Sequence, residues 1–396
     1  MPKDWTQHSN LFLQLFADCI PVKGAARSAV YDLTRHEIVL FPTDYYFVLK
    51  EIQGKRVGDL LEKIQSHLNK ERIIAFLDFL DEKELIMLVD DPSEFPPIEN
   101  SWDFPGIVHN AIIDVSEVLH DFRRIFDELS ALGCQYVQIR SFSNLLTLNA
   151  CHELLENAHH KSIEGIELIL KYENGVSDGT YITFVKQHTM VTALTVHSAP
   201  QSKYVLVDTI APVIYEGAPS RRIYFTRQTI DSEIHCGMIT QKHLTPPAVK
   251  TFFEARSFNG CLNRKISVDA GGNIRNCPSM KDSYGNIRDN SLLEAVHAAG
   301  FKEKWGLSKD HISICRDCEF RYACSDCRAY LENPTDAFSK PLKCGYDPYS
   351  GTWNEWSENP AKMITAKLYG MELLIRQPNG SVPEQLRKVQ AVDPEQ

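Results

Sequence analysis

Residues 315–327 read CRDCEFRYACSDC, and this stretch decides how the last third of the chain folds. Its cysteines form two pairs with two residues inside each pair, a spacing that lets both thiolates of a pair point at one metal centre. Single cysteines far away in the sequence complete the coordination in such sites. The segment 261–344 contains seven cysteines: Cys261, Cys277, Cys315, Cys318, Cys324, Cys327 and Cys344. This pattern predicts a metal-stapled domain.

The same segment is poor in regular patterns and rich in turn signals, such as Asp269-Ala-Gly-Gly-Asn273 and Asn333-Pro334. Such a segment buries little apolar surface and needs another source of stability. The two cysteine pairs are separated by five residues, whereas two zinc knuckles are usually separated by roughly fifteen to twenty. Iron–sulfur clusters therefore fit the spacing better than a zinc ribbon, which stays open as an alternative.

Composition indicates a cytoplasmic globular protein. The 396 residues exceed what one hydrophobic core usually supports, so two or three domains are expected, and 43% of the residues are apolar. Neither a signal-peptide pattern nor an apolar run of membrane-spanning length is visible, which predicts no membrane partner. The formal charge of −10 argues against nucleic acid as a partner. Disulfides do not fit a reducing cytoplasm.

The remaining sequence divides into modules. Residues 23–49 alternate like a β-hairpin, and apolar residues from 45 to 88 recur every three or four positions, as in amphipathic helices. Prolines and acids in residues 90–97 end this pattern. From 107 to 225 strand patterns alternate with helix patterns, which predicts a parallel sheet in a partial or full (β/α) barrel. We expect domains at 1–95, 96–235 and 236–360, followed by a helix from 361 to 375 and a polar tail to 396.

The cysteine segment resembles the SPASM domain of radical-SAM peptide maturases. Gly272 stands five positions before Cys277, as in that domain, and the later cysteines have similar spacers. The sequence around these cysteines resembles that of the grasp-with-SPASM subfamily over residues 230–360. The segments that carry this resemblance are CLNRKISVD at 261–269, NCPSM at 276–280, CRDCEFRYACSDCRAY at 315–330 and KPLKCGYDPY at 340–349. Members of that subfamily are associated with an ATP-grasp peptide ligase and a short ribosomal precursor peptide.

The resemblance implies an α/β protein with a winged-helix-like peptide-recognition module, a degenerate partial (β/α) radical-SAM-like barrel and a C-terminal SPASM domain. It also implies two [4Fe–4S] clusters. One would be ligated by Cys315, Cys318, Cys324 and Cys344, and the other by Cys261, Cys277 and Cys327. The last spacer has two residues where the family has three, which leaves the register of Cys327 open.

The second cluster has three evident ligands. Relatives with full ligation have another cysteine six positions before the first, where this chain has Ala255. Either the cluster keeps an open iron for a substrate, or Cys236, in the sequence Ile-His-Cys-Gly, folds back as the fourth ligand. Cys134 and Cys151 lie in the barrel region and are expected in its core.

The barrel region lacks the Cys-x3-Cys-x2-Cys motif that holds the SAM-cleaving cluster of radical-SAM enzymes. The motif belongs directly after the first barrel strand, where this chain reads VSEVLH at 115–120. The second strand, 135–140, also lacks the Gly-Gly-Glu ending that faces the methionine amine of SAM. We therefore expect no SAM in this protein.

Residues 10–95 resemble the peptide-recognition element of ribosomal peptide maturases, on the sequence GAARSAVYDL at 24–33 and the helix pattern from 73 to 88. Such elements bind a leader peptide by adding it as a strand to a sheet edge. The expected edge consists of Ile38, Val39, Leu40 and Phe41, and the expected groove residues are Ile73, Phe76 and Leu77. An interdomain cap or a DNA-binding winged helix is the alternative, and the negative charge opposes the second.

Three functions remain from the sequence. The first is an iron–sulfur scaffold that binds a precursor peptide and works with an ATP-grasp ligase. The second is an enzyme that modifies the peptide at the open-site cluster or by unconventional radical-SAM chemistry. The third is a zinc-stapled adaptor.

Overall fold

The computed structural model describes residues 3–64, 67–159, 161–208 and 221–375. Its N-terminal part contains two three-stranded antiparallel sheets and three helices. In chain order the elements are β1 (Phe12–Leu15), β2 (Cys19–Val22), β3 (Arg27–Asp32), β4 (Glu37–Pro42), α1 (Asp44–Ile52), β5 (Lys55–Arg56), α2 (Val57–Lys63), α3 (His67–Glu82) and β6 (Ile86–Val89). The sheet orders are β5-β1-β6 and β2-β3-β4.

Strand β4 separates two apolar clusters because its side chains alternate between the faces of its sheet. Val39 and Phe41 pack into the core beneath α1 and α3, where the Phe41 ring centroid lies 5.6 Å from that of Phe76. Ile38 and Leu40 point the other way, into a cluster shared with aromatic residues of the C-terminal half. The hairpin predicted from residues 23–49 is confirmed by the pairing of β3 with β4.

The middle of the chain forms one large sheet with helices. Its elements are β7 (Asn110–Val115), α4 (Phe122–Ala131), β8 (Tyr136–Ser141), α5 (Leu148–Glu156), β9 (Gly165–Lys171), α6 (Asp178–Gln187), β10 (Val191–His197), β11 (Lys203–Asp208), β12 (Arg221–Phe225), α7 (Val249–Ser257), β13 (Lys265–Val268) and β14 (Ile274–Arg275). The strand order is β11-β12-β10-β9-β8-β7-β13-β14. Six neighbouring strands are parallel, and β11 and β14 are antiparallel at the edges. The predicted mixed α/β fold with a mostly parallel, partial-barrel-like sheet is confirmed.

The faces of this sheet differ in chemistry. Apolar side chains such as Ile113 and Ile139 face α4, α5 and α6 and form the largest core of the protein. The other face carries polar groups, among them Gln138, which donates to Glu167 over 2.8 Å. Because the ends of parallel strands lie together, polar residues at the carboxyl ends meet above this second face.

The C-terminal part has short elements, as the turn signals predict. They are α8 (Leu292–His297), β15 (Tyr346–Asp347), β16 (Thr352–Trp353) and α9 (Pro360–Leu368). The helix predicted from 361 to 375 is too long: it stops at Leu368, and Gly370 adopts φ +69°, a conformation that ends helices. The polar tail predicted to 396 lies mostly outside the described residues.

The boundary at residue 236 does not coincide with the edge of the central sheet. Strand β13 comes only a few residues after Cys261 and pairs in parallel with β7, so the cysteine segment contributes a hairpin to that sheet. Among the helices of the described ranges, none has the length and apolar character that a bilayer crossing requires.

Candidate iron–sulfur sites

The first cysteine group consists of the four thiols that the resemblance assigns to one cluster. Cys315, Cys318, Cys324 and Cys344 all line one small cavity. Cys315 opens a short 3-10 turn, Cys315–Asp317, and the two-residue spacer brings Cys318 to the same cavity. The structure therefore brings together all four members of this predicted set.

Buried charges surround the first group. Lys309 is buried with its Nζ 3.9 Å from the Cys315 sulfur and 3.2 Å from Asp326 Oδ1. Arg328 also contacts that carboxylate, at 2.7 Å. Burial raises the pKa of the Cys324 thiol to about 12, and the Lys309 ammonium opposes the rise. A protein environment that is apolar and yet contains a lysine suits an anionic group between the thiols.

The second group contains the other three predicted cysteines and Cys236. Burial, together with the charges of Cys261, Cys236 and Cys327, raises the pKa of the Cys277 thiol to about 12. Burial likewise raises the pKa of Cys327 to about 11, with contributions from Cys261 and Cys236. These contributions indicate that the four thiols share one region of the protein, in which Cys236 is the exposed member.

Glycine at position 237 makes the approach of Cys236 possible. Gly237 adopts φ +80°, and a β-carbon there would lie 2.8 Å from the Cys327 sulfur. Any larger residue would therefore collide with the thiol and strain the backbone. The sequence Ile-His-Cys-Gly contained this signal, because a glycine next to a candidate ligand is typical of close backbone approach.

Lys343 holds the loop that carries Cys236. This buried lysine donates from Nζ to the carbonyl oxygens of Ile234 and, over 2.7 Å, of Cys236. The backbone carbonyl oxygen of Lys343, one residue before Cys344 in the chain, accepts from the backbone N–H of Ile239 over 3.1 Å. Ile239 and Cys344 form an isolated parallel bridge. The Cys236 loop is thus fixed along the segment that carries a ligand of the first group.

Two cations of the central sheet face the second group. Lys265 of β13 is buried and donates to the Cys261 sulfur over 3.4 Å. Burial opposes its charge, but Cys261, Cys277 and Cys236 outweigh this and raise its pKa. Negative charge on Cys236 and Cys277 also contributes to raising the pKa of Arg140, whose guanidinium is paired with Asp114.

The chemistry of both groups fits [4Fe–4S] clusters. With pKa values near 11 and 12, the thiols Cys277, Cys324 and Cys327 are neutral at pH 7 without a metal. Lys265 would then be a buried ammonium with no anion, which is costly. Thiolates on an iron–sulfur core supply the missing negative charge. In the part of the chain that the structure describes, no three His, Cys, Asp or Glu side chains form a site for a single metal ion.

A buried ion pair precedes the position at 115–120 where the SAM motif is missing. At the carboxyl ends of β7 and β8, Arg140 donates twice to Asp114, over 2.6 and 2.7 Å, and both side chains are buried. Beside them, the His197 ring donates from Nε2 to the Ser141 carbonyl oxygen over 3.0 Å. The polar atoms of Arg140 and Asp114 are thus hydrogen-bonded to each other, and His197 is hydrogen-bonded to the main chain. None of the three side chains is a thiolate that could bind a cluster.

The two cysteines of the barrel region take no part in either group. Cys134 and Cys151 are fully buried in the core between the sheet and its helices, as predicted. Burial raises the pKa of the Cys134 thiol to about 12, so it remains a neutral apolar side chain at pH 7.

The predicted peptide-binding residues are divided between surface and core. Within the described ranges, β4 pairs with β3 alone, so its other edge is open. A groove between α1 and α3 is lined by Ile73 of α3 together with Tyr45, Val48 and Ile64, and by the polar or charged residues Asp44, Lys63, Asn69 and Arg72. Phe76 and Leu77 lie below this groove in the buried core. The apolar period of α3 therefore marks its core face, and Ile73 marks the groove.

A buried carboxylate joins the N-terminal sheet to the first cysteine group. Glu319 lies between Cys318 and Cys324 in sequence and is fully buried. Arg27 of β3 donates to its Oε1 over 3.0 Å, and Tyr31 donates to its carbonyl oxygen over 2.8 Å. No spacing rule in the sequence indicated this contact between distant segments.

Comparison with known proteins gives weak matches. Neither a protein-family model nor a curated protein matches the chain. Among solved structures, SuiB of Streptococcus suis bound to S-adenosylmethionine aligns at 12% identity over 83% of this chain and 99% of that one, with a TM-score of 0.33. A second SuiB structure aligns at 12% identity over 81% and 95%, with a TM-score of 0.26. Similarity at this level carries no argument about fold or function.

Proposed function

We propose that this chain is an iron–sulfur protein of ribosomal peptide maturation, which binds the leader of a precursor peptide and works with an ATP-grasp ligase. The observation that carries the proposal is the sorting of eight cysteines into two groups of four, each beside a buried lysine. The SPASM resemblance of residues 261–344 supplies the biological setting.

In this proposal the first cluster is bound by Cys315, Cys318, Cys324 and Cys344. The second is bound by Cys261, Cys277, Cys327 and Cys236, whose proximity favours four protein ligands over an open iron. Fully ligated clusters cross-link the short elements around them and can exchange single electrons. With no open iron and no SAM motif at 115–120, a scaffold role is favoured over chemistry on the peptide.

The N-terminal module is the proposed leader-binding site. The open edge of β4 can accept a peptide strand, and the groove at Ile73 can accept its apolar side chains. Arg27 and Tyr31 join the same sheet to the loop between Cys318 and Cys324. A bound leader would therefore lie on a sheet that is fixed directly to the first cluster.

Anaerobic purification tests the cluster assignment. We expect a brown protein with broad absorption near ~400 nm and about eight irons per chain. A colourless protein that contains zinc after anaerobic reconstitution with iron and sulfide would contradict the proposal and favour the zinc-stapled adaptor.

Two assays test the function. Selection of a random peptide display library on the full-length protein should enrich extended apolar peptides that compete with one another for the module. Incubation of the reduced holoprotein with SAM and an enriched peptide should give no 5′-deoxyadenosine. Catalytic formation of this product would overturn the scaffold role.

A further inference from the structure

Lys265 is the first residue of β13 and lies beside the second cysteine group. Its register partner on β7 is Asn110, so its side chain starts from the central sheet. The ammonium donates to the Cys261 sulfur over 3.4 Å. Among the residues that the structure describes, no carboxylate lies within ion-pair distance of it.

Two other buried cations near the cysteines are paired with a carboxylate, whereas Lys343, next to the second group, donates to carbonyl oxygens. Lys309 has Asp326 at 3.2 Å, and Arg140 has both oxygens of Asp114. A salt-bridged cation contributes little net field at a distance, because its partner cancels it. Lys265 has no such partner, so its full positive charge acts on the second group.

We propose that Lys265 sets the reduction potential of the cluster held by Cys236, Cys261, Cys277 and Cys327, raising it by stabilising the added electron. The inference rests on the proposed cluster. One-electron reduction adds a negative charge to the core, and a nearby cation in a medium of low dielectric constant stabilises that charge. Net charge and hydrogen bonds to sulfur are two of the factors that set iron–sulfur potentials, and Lys265 provides both.

The test is a redox titration of the reconstituted full-length protein, followed by electron paramagnetic resonance. Lys265→Met should lower the midpoint of one cluster, with at least a tenfold fall in its reduction equilibrium constant, equivalent to about 59 mV. Lys265→Arg keeps the charge and should restore the midpoint. The first cluster serves as an internal reference and should not move.

Lys203→Met is the matched control, since it removes the same charge from the same sheet. Lys203 lies on β11, six strands away from β13 in the sheet order, and its ammonium is paired with Asp178. The reduction midpoints of the Lys203→Met protein should equal those of the unaltered protein. Lys265→Gln removes the charge but keeps a donor for the Cys261 sulfur, so it separates the charge from the hydrogen bond and should also lower the midpoint.

Each outcome decides the proposal. Unchanged midpoints in Lys265→Met and Lys265→Gln at full iron content would overturn the role of Lys265 and leave the cluster assignment standing. Loss of iron from both neutral variants, with Lys265→Arg intact, would assign Lys265 to assembly and overturn its role in the potential. Absence of iron from the unaltered protein would overturn the proposed function as well.

Discussion

Replacement of Arg140 by leucine should destabilise the central sheet strongly. Arg140 joins the carboxyl end of β8 to Asp114 on β7, and the side chains of the pair are 5% and 2% exposed. Removal of the guanidinium leaves a buried carboxylate without a cation. Breaking a buried pair in this way costs about 3–5 kcal/mol, because the remaining charge has lost its compensation.

The loss should depend on pH in a defined direction. Burial raises the pKa of Asp114 even with Arg140 present to oppose the rise, so without the arginine the pKa rises further. A group whose pKa is raised in the folded state favours that state at low pH and opposes it as pH increases through the raised value. Arg140→Leu should therefore be less destabilised at pH 5 than at pH 8.

Native-state hydrogen exchange suits a chain of several units, for which one global free energy of unfolding is poorly defined. The backbone amides of 110–115 and 136–141 should exchange about two to three and a half orders of magnitude faster in Arg140→Leu at pH 8, because the opening free energy falls by the same 3–5 kcal/mol. The double variant with Asp114→Leu should recover most of the protection, since it removes both buried charges. Unchanged exchange, or a greater loss at acid pH than at alkaline pH, would refute the reasoning.

Three further substitutions test other contacts. Cys236→Ser should lower the iron content of the reconstituted protein and alter the electron paramagnetic resonance spectrum of one cluster. The same change at the core residue Cys151 should leave the iron content unchanged. Equal iron content in both variants would remove Cys236 from the ligand set. Ile73→Glu should weaken binding of display-selected peptides at least tenfold, measured by fluorescence anisotropy, because it puts a carboxylate in place of one of the apolar side chains that line the groove; full affinity would count against the groove. Arg27→Met should cost about 1–3 kcal/mol in protection of β3 amides, because it leaves buried Glu319 with the Tyr346 hydroxyl but without its cation, and adding Glu319→Gln should offset part of the loss; no offset would mean that the ion pair is not the cause.

The sequence predicted the strands of the central sheet well because their alternation and length are strong local signals. The apolar patterns predict strands at 136–139 and 166–170, and the structure has them at 136–141 and 165–171. Strand β13 was missed because it has only four residues, Lys265–Val268, and its partner β7 lies far away in the sequence. Tertiary pairing, rather than local pattern, makes it a strand.

The candidate site was predictable in part. The cysteine spacings indicated which thiols belong to the first group, and the structure places those four around one cavity. The position of Cys236 was left open, because it depends on the contacts of Lys343 and on Gly237, which spacing does not encode. The assignment of Phe76 to the groove confused the apolar period of α3, which marks its core, with a binding surface.

The bridge between Ile239 and Cys344 has a consequence for biogenesis. On the proposed assignment, a newly made chain would acquire its two clusters after synthesis, and until then its short C-terminal elements would have little to hold them together. A cluster bound at Cys344 would fix the neighbouring main chain, including Lys343, and so place Cys236 for the other cluster. We therefore expect a defined order of maturation, in which half-loaded protein carries its iron at the Cys344 position and not at the Cys236 position.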